Sequence, residues 1–335
     1  MTSIDIHFHV TPRLLFDAIR DGKLREAVEI KTVEGVDRLL FHAPPDVVVE
    51  PNITIRPASY DTASILQAMD ERKLDAAAIS APPELFLYWV SPDTGERLAR
   101  LMNDGYAEMA RAHPGRFLPL ATVPLQDPPR AARELERAVT QGGLRGVSIC
   151  THVNGRDLDD PANAPLFAMA ERLDVPVFLH PQNAGDVTRL KDYHLWNAVG
   201  FPLETVTAAS RLIASGAFER WPGLKVILAH GGGFFPYQLG RLDHAYAANP
   251  SAFKELPKKP SAYIGNIYCD SLTHSELSLR FLIDRFGYRN VVLGSDYPFL
   301  MRSDTLVDEV VALGLPAGEE KAILGGTLGK LLKAG

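Results

Sequence analysis

Two hydrophobic patterns alternate along most of the chain. Eight short runs are dense in Val, Ile and Leu, which is typical of strands buried on both faces. The predicted strands are residues 4–10, 76–80, 117–123, 146–150, 175–180, 225–230, 264–270 and 291–296. The segments between them space apolar residues three or four apart, which predicts amphipathic helices. These predicted helices are residues 62–73, 93–112, 130–140, 163–173, 204–215, 234–248, 275–286 and 303–313.

Eight alternating strand and helix units predict an α/β fold of the (β/α)8 TIM barrel class. Such alternation builds parallel sheets through right-handed crossovers. The competing fold is an open doubly wound sheet, which needs a glycine-rich turn after its first strand. The residues after the first predicted strand, Val10 to Arg13, include no glycine. We therefore predict one barrel domain over residues 1–335.

Residues 28–57 do not follow the alternation. The segment contains several prolines and the run Val47-Val48-Val49 among polar residues. It is predicted to be a small insertion after the first strand, containing a hairpin and lying near the barrel mouth, the end where the strands terminate.

Composition excludes several classes of protein. The 335 residues are 46% hydrophobic and 23% charged, and 35 basic against 41 acidic residues give a net charge of −6. A mildly acidic chain without a basic block is unsuited to nucleic acid, and no apolar run reaches the ~20 residues that span a bilayer. The start lacks a targeting pattern, and two cysteines form no disulfide framework. We therefore expect a cytoplasmic protein.

Histidine and aspartate residues stand at the ends of four predicted strands. His7 and His9 end the first strand, and His180, His230 and Asp296 end the fifth, sixth and eighth. Residues two apart on a strand point the same way, roughly 6.6 Å apart along the chain. Catalytic residues of barrels lie at this end of the strands. His180 and Asp296 are therefore expected to meet His7 and His9 from across the barrel.

Three neutral imidazoles and a carboxylate are ligands suited to Zn²⁺ or a similar divalent ion. An open position on such an ion would hold a water molecule, whose pKa is lowered to about 7. Each residue taken singly also fits a structural role, and Asp296 in particular fits a helix N-cap. The shared position at strand ends favours the metal site, with His7, His9, His180 and Asp296 as ligands.

The motifs around these residues resemble the amidohydrolase superfamily, and more narrowly its metal-dependent decarboxylases related to aminocarboxymuconate semialdehyde decarboxylase. The resemblance extends from about Ile4 to Leu332. It implies a barrel and one divalent ion, zinc first and Mn²⁺ as the alternative, without a bridging carbamylated lysine. The motifs are His7-Phe8-His9, His180-Pro181, Ala229-His230-Gly231-Gly232-Gly233 and Gly294-Ser295-Asp296-Tyr297-Pro298.

The resemblance also implies roles for single residues. His230 matches a general acid/base beside the metal, and an imidazole pKa of ~6.5 suits that task. Asp296 is expected to be both ligand and catalytic residue. Arg56 matches an arginine that binds the substrate carboxylate, and Arg241 matches one that reaches the neighbouring subunit's site, which implies a homodimer. Both arginines suit bidentate binding of carboxylate.

The loop after the fifth strand departs from the family pattern in part. The relatives carry Trp-Asp directly after His-Pro, whereas this chain has Gln182 and Asn183. Trp196 keeps the pattern and is expected to contact substrate. Phe299 resembles an aromatic residue that lines the pocket, although core packing explains it nearly as well.

The favoured function is a metal-dependent decarboxylase that releases CO₂ from an unsaturated or aromatic carboxylic acid, using a metal-bound water and His230. A metal-dependent hydrolase of an amide, lactone or C–C bond is the alternative, because the same site would activate water. A barrel that binds metal only for structure or regulation is a third hypothesis. The expected partner is a small carboxylate, with neither nucleic acid nor membrane involved.

Overall fold

The computed structural model describes residues 2–44, 52–182 and 189–334. Eight parallel strands among these residues form the barrel. They are β1 (Ile4–His9), β2 (Ala76–Ser80), β3 (Leu120–Ala121), β4 (Gly146–Ile149), β5 (Val177–Leu179), β6 (Val226–Leu228), β7 (Ile267–Asp270) and β8 (Val291–Val292).

The strands follow one another around a closed ring. β1 pairs with β2, and β3 to β8 form a parallel sheet in chain order. The bridge between Ala77 and Phe117 joins β2 to the approach to β3, and the bridge between Phe8 and Tyr297 joins β1 to the chain after β8. The predicted (β/α)8 barrel is therefore confirmed.

Twelve α-helices lie in the described part of the chain. In the fourth, Asp127 caps the first turn, and Ala131, Leu135 and Ala138 are buried as the sequence pattern predicts. The helices are α1 (Arg13–Arg20), α2 (Thr62–Glu71), α3 (Pro92–Ala112), α4 (Pro128–Thr140), α5 (Ala164–Leu173), α6 (Phe201–Ala214), α7 (Ala217–Arg220), α8 (Phe235–Ala248), α9 (Glu276–Phe286), α10 (Leu306–Ala312), α11 (Ala317–Lys321) and α12 (Thr327–Leu331).

Some element bounds differ from those predicted. Residues Pro260–Asn266 form a 3-10 helix, so β7 begins only at Ile267. β8 ends at Val292, four residues early, and Asp296 has a φ of 64°, outside the extended region. The sequence did not predict α1, α7, α11 or α12, three of which have five residues or fewer and are too short to show a helical period.

The amino-terminal end of the barrel is closed by apolar packing. Leu328 and Leu331 of α12 form a cluster with Ile4 and Ile6 of β1 and with residues of the other strands. A Cβ added at Gly329 would lie 3.4 Å from Ile4 Cδ1. The opposite end, where the strands terminate, is therefore the end available to a site.

The insertion contains a small antiparallel sheet. Its strands are Val28–Val33, Val36–Phe41 and Asn52–Thr54. Glu34 and Gly35, both at positive φ, form the two-residue hairpin turn. Leu39 is buried, and the sheet packs against the main core, with Phe41 next to Trp89. Val47-Val48-Val49 lies outside the described residues.

None of the helices in the described ranges combines the length and apolar character needed to cross a membrane. Cys150 and Cys269 are both free and buried. A cytoplasmic location stays a prediction.

Candidate metal centre and active site

Four histidines and one aspartate meet at the mouth of the barrel. Asp296 Oδ1 lies 3.1 Å from His7 Nε2 and 3.5 Å from His9 Nε2. The same oxygen is 4.0 Å from His180 Nε2, and Asp296 Oδ2 is 3.8 Å from His230 Nε2. Residues from β1, the ends of β5 and β6, and the chain after β8 thus converge on one point, as their positions at strand ends predicted.

Hydrogen bonds set the ring orientation of three of these histidines. His9 Nδ1 donates to the carbonyl of Ala81 over 2.9 Å, and His180 Nδ1 donates to that of Pro181 over 2.6 Å. His7 Nδ1 donates to the Asp270 carboxylate over 2.7 Å. Because a carbonyl accepts only, the proton of His9 and of His180 is on Nδ1, and Nε2 presents a lone pair. Such outer bonds typically orient metal-ligating histidines.

The atoms left without partners identify the group that this site accepts. Four buried atoms have no hydrogen-bond partner among the residues that the structure describes: His7 Nε2, His9 Nε2, His180 Nε2 and Asp296 Oδ1. Buried polar atoms are rarely unpaired unless they bind an ion or water. Three imidazole nitrogens and one carboxylate oxygen suit a divalent metal ion. The predicted divalent ion therefore fits the residues present.

His230 differs from the other three imidazoles. Its side chain is 16% exposed, whereas those of His7 and His9 are fully buried. Within the described ranges, the buried atom of His230 that has no hydrogen-bond partner is Nδ1 rather than Nε2. A second ligand set is also compact, because one ligand atom each from His7, His180, His230 and Asp296 lies within 4.8 Å of the others. The geometry thus offers two ligand sets, which differ in whether His9 or His230 is included.

The histidines and aspartates of the site shift one another's pKa values. Burial opposes protonation of His7, but the Asp296 and Asp270 carboxylates outweigh it and raise the pKa of His7 to about 10. Burial lowers the pKa of His180 well below its usual range, and the adjacent imidazoles lower it further. Burial also lowers the pKa of His9. Burial works against ionisation of Asp296, yet the charge of His7 and the neighbouring imidazoles of His230 and His9 hold its pKa well below the usual range. The aspartate is therefore a carboxylate, ready to bind a cation.

Two buried aspartates that the sequence analysis passed over support the site. Asp270, at the end of β7, accepts the His7 bond, and Asp5 Oδ1 accepts from the His7 and Ser295 backbone amides over 2.8 and 3.1 Å. Burial, partly offset by these bonds, raises the pKa of Asp5 to about 7. Asp270 had a usable signal, because it ends the seventh predicted strand at the same edge as the ligands.

The two aromatic residues predicted to contact substrate differ in their distance from the site. Phe299 is next to the centre, with its ring centroid 5.2 Å from that of His9. Trp196 is 36% exposed and packs 5.3 Å from Phe201, whose ring is 6.3 Å from His180. Phe299 therefore packs directly against a histidine of the site, whereas Trp196 is connected to the site through Phe201.

The two predicted arginines are both exposed. The Arg56 carbonyl accepts from the Ser59 amide over 2.9 Å, and the Ser59 carbonyl accepts from the Thr11 amide over 2.7 Å, directly after β1. The Arg56 loop is thus tied to the mouth. Arg241 lies on the outer surface of α8 and takes no part in the cluster described above. Asn183 lies outside the described residues.

Comparisons with known proteins identify the family of this chain. The model of the amidohydrolase family matches residues 4–333. The 2-amino-3-carboxymuconate-6-semialdehyde decarboxylase of Dictyostelium discoideum is 39% identical over 70% of this chain and 66% of its own length. The gamma-resorcylate decarboxylase of Rhodococcus jostii is 34% identical over 70% of this chain and 76% of its own length.

Solved structures give the same result. The 5-carboxyvanillate decarboxylase of Sphingomonas paucimobilis superposes with a TM-score of 0.83 at 30% identity, covering 99% of both chains. A dihydroxybenzoic acid decarboxylase of Polaromonas, solved with bound manganese and 2-nitroresorcinol, has a TM-score of 0.79 at 26% identity and covers 99% of this chain and 97% of its own. The predictions of a metal-dependent decarboxylase and of a divalent ion are confirmed. The chain belongs to the amidohydrolase family, in its branch of metal-dependent decarboxylases.

Proposed function

We propose that this protein removes CO₂ from an aromatic or unsaturated carboxylic acid at the mouth of its barrel. The observation that carries the proposal is a set of four buried, unpaired atoms that can ligate a metal ion, which lie beside the more exposed His230. The relatives support the substrate class, since 5-carboxyvanillate, gamma-resorcylate and dihydroxybenzoic acid are the substrates in their names.

The metal is proposed to bind to His7, His9, His180 and Asp296. These residues supply the four unpaired Nε2 and Oδ1 atoms, whereas the unpaired buried atom of His230 is Nδ1 and its Nε2 lies 3.8 Å from Asp296 Oδ2. Zinc is the proposed ion because three imidazoles and one carboxylate suit it, and manganese is the alternative that the Polaromonas structure binds. A divalent ion in this place supplies Lewis-acid stabilisation of negative charge that develops on the substrate.

His230 is proposed to hold and deliver the proton of the reaction. When the bond between the ring or chain carbon and the carboxylate breaks, its electron pair stays on that carbon and CO₂ leaves. A proton must then replace CO₂ at the same carbon. His230 Nε2 is available for this transfer because the side chain is partly exposed at the mouth, 3.8 Å from Asp296 Oδ2.

Aromatic side chains surround the reacting point. Phe178 packs 5.2 Å from His7, Phe201 packs 6.3 Å from His230, and Phe299 packs 5.2 Å from His9. Apolar walls of this kind exclude water and strengthen the electrostatic interactions inside a site. They also suit a planar unsaturated or aromatic substrate, which stacks on or packs against aromatic rings.

The direct test is CO₂ release by the metal-loaded protein with a panel of unsaturated and hydroxylated aromatic acids. We expect stoichiometric CO₂ with at least one acid, and loss of activity after chelation that is restored by adding zinc or manganese. Metal analysis of the purified protein identifies the ion. Opening of an amide or lactone without CO₂ would instead support the hydrolase.

Arg56 is proposed to bind the substrate carboxylate. Replacement with alanine should lower kcat/KM about 10- to 100-fold, since hydrogen bonds between charged groups contribute about 1.5–3 kcal/mol. Arg56→Lys should not restore the full value, because an ammonium group cannot form the bidentate pair. Arg25→Ala is the control, since that arginine is 77% exposed and pairs only loosely with Glu29. An unchanged kcat/KM in Arg56→Ala would remove the arginine from the site.

A homodimer is proposed to form through α8 and α9. Tyr237 is 75% exposed on α8 and lies 6.2 Å, ring to ring, from Phe281 of α9, which is 44% exposed. Leu277, four residues before Phe281, is 81% exposed. Exposed apolar groups that adjoin in this way are typical of protein interfaces. Arg241 follows Tyr237 by four residues and lies on the same helix face.

If Arg241 acts in the partner's site, two inactive variants should complement each other. Arg241→Ala and His230→Asn are mixed in equal amounts and allowed to exchange subunits. Half of the dimers then contain one chain of each variant, and each mixed dimer has one complete site. About a quarter of all sites should therefore regain activity. Activity of the mixture is compared with that of each variant alone. No recovery despite exchange shown by mass spectrometry would place each site within one chain.

A further inference from the structure

Asp270 connects two parts of the site that the proposed mechanism treats separately. Its Oδ2 accepts from His7 Nδ1 over 2.7 Å and from the His230 backbone amide over 2.9 Å. Its Oδ1 accepts from the amides of Gly231 over 2.6 Å and Leu272 over 3.1 Å. The side chain is fully buried. One carboxylate thus receives four donors and leaves neither oxygen free.

The chain after β6 has an unusual conformation that these bonds support. His230, Gly231, Gly232 and Gly233 have φ values of 57°, 62°, 74° and 61°, all in the left-handed region. A non-glycine residue such as His230 adopts this region only when its surroundings hold it there. Successive amides in such a turn form a concave site for an anion. Asp270 supplies that anion from the neighbouring strand.

The glycines allow the turn to approach β7 closely enough for this contact. A Cβ on Gly231 would lie 2.8 Å from Thr273 Cγ2, and one on Gly232 would lie 2.8 Å from Cys269 Sγ. Gly294, in the chain after β8, also makes room for Asp270, because a Cβ added at Gly294 would lie 2.7 Å from the Cβ of Asp270. Three glycines from two loops therefore make room around one carboxylate.

We propose that Asp270 is a positioning residue that orients the ligand His7 and the acid/base His230 together. The inference depends on the proposed roles of those two histidines. Asp270 keeps the proton of His7 on Nδ1 and so leaves Nε2 for the metal. It also places the backbone of His230, and hence its ring, relative to Asp296. A single carboxylate therefore determines both metal affinity and the geometry of proton transfer.

Asp270→Asn is the informative variant because asparagine has nearly the same shape. In either orientation of the amide, its NH₂ group faces two of the four donors. If the NH₂ group faces His7, it favours the other tautomer, in which Nε2 carries the proton and cannot bind a metal. If it faces Gly231 and Leu272, it repels the turn that carries His230. No orientation of asparagine reproduces the native bonds.

The test measures metal affinity and turnover separately. Zinc affinity is measured by competition with a chromophoric chelator, and we expect a loss of about 10- to 100-fold. At saturating zinc, kcat should still fall about 10- to 100-fold, because the turn carrying His230 remains displaced. In the His230→Asn background, Asp270→Asn should lower kcat by no more than about twofold further, while the loss of zinc affinity persists.

Several controls separate this inference from others. Glu134→Gln removes another buried carboxylate, which binds Asn103 and Arg137 far from the metal ligands, and should leave zinc affinity and kcat unchanged. If Asp270→Asn does not fold, Asp270→Ser takes its place, since it leaves room for water. Zinc affinity and kcat both within twofold of wild type in the folded variant would overturn the inference. Unchanged zinc affinity in His7→Ala would instead overturn the proposed ligand set.

Discussion

His180→Ala is expected to yield a folded protein that contains only trace metal and releases no CO₂. His180 is almost fully buried, and its Nδ1 is bonded to the Pro181 carbonyl. Its unpaired Nε2 belongs to both ligand sets that the geometry allows. Removing it deletes one of four ligands. The rings of His7 and His9 are fixed by hydrogen bonds to other groups, so the remaining three ligands cannot rearrange to enclose the ion and metal affinity should fall sharply. Metal content by mass spectrometry and CO₂ release measure the two losses.

The matched control for this variant is another histidine that the metal site does not use. His113 lies at the end of α3 with its ring 5.8 Å from that of Phe117. His113→Ala should keep the wild-type metal content and activity. A full complement of metal in His180→Ala, with circular dichroism showing a native fold, would contradict the proposed metal centre in either of its forms.

His230→Asn is expected to keep its metal and to lose about 10²- to 10⁴-fold in kcat, which is the range for a general acid or base. Asparagine tolerates the left-handed backbone of this position, where φ is 57°, better than alanine does. It cannot exchange a proton near neutral pH. Single-turnover CO₂ release at saturating metal isolates the chemical step from binding.

The paired variant His9→Ala distinguishes the two ligand sets. If His9 is the ligand, as its unpaired Nε2 indicates, His9→Ala loses metal and His230→Asn does not. The reverse result would assign His230 to the metal and would leave the reaction without its proposed proton carrier. A kcat for His230→Asn near that of wild type, with metal bound, would equally remove His230 from that role.

The residues predicted to contact substrate differ in how much of their prediction a single chain can display. Phe299 was predicted to line the pocket, and its ring packs against His9. Arg241 is exposed on α8, and its predicted contact with substrate depends on a second chain. A residue that acts across an interface leaves no sign in the fold of one chain, apart from the exposed apolar side chains around it.

The alternating pattern of the sequence was enough to predict the barrel and the end of the barrel at which the site lies. Strand and helix alternation is a local periodicity, and a parallel barrel brings the carboxyl ends of its strands to one face. The positions of His7, His9, His180 and Asp296 at strand ends were therefore sufficient to predict that they meet.

Contacts between distant segments decide which nitrogen and oxygen atoms of these side chains are hydrogen-bonded and which are available to a metal ion. The strand-end position of Asp270 could not reveal which groups it binds, and Asp5 gave no signal at all, because their hydrogen bonds join chain segments up to 290 residues apart. The left-handed turn at His230 likewise depends on a carboxylate from another strand. Periodicity reports how each segment presents its side chains. Tautomer, unpaired donors and backbone strain depend on contacts between segments, which only the folded chain brings together.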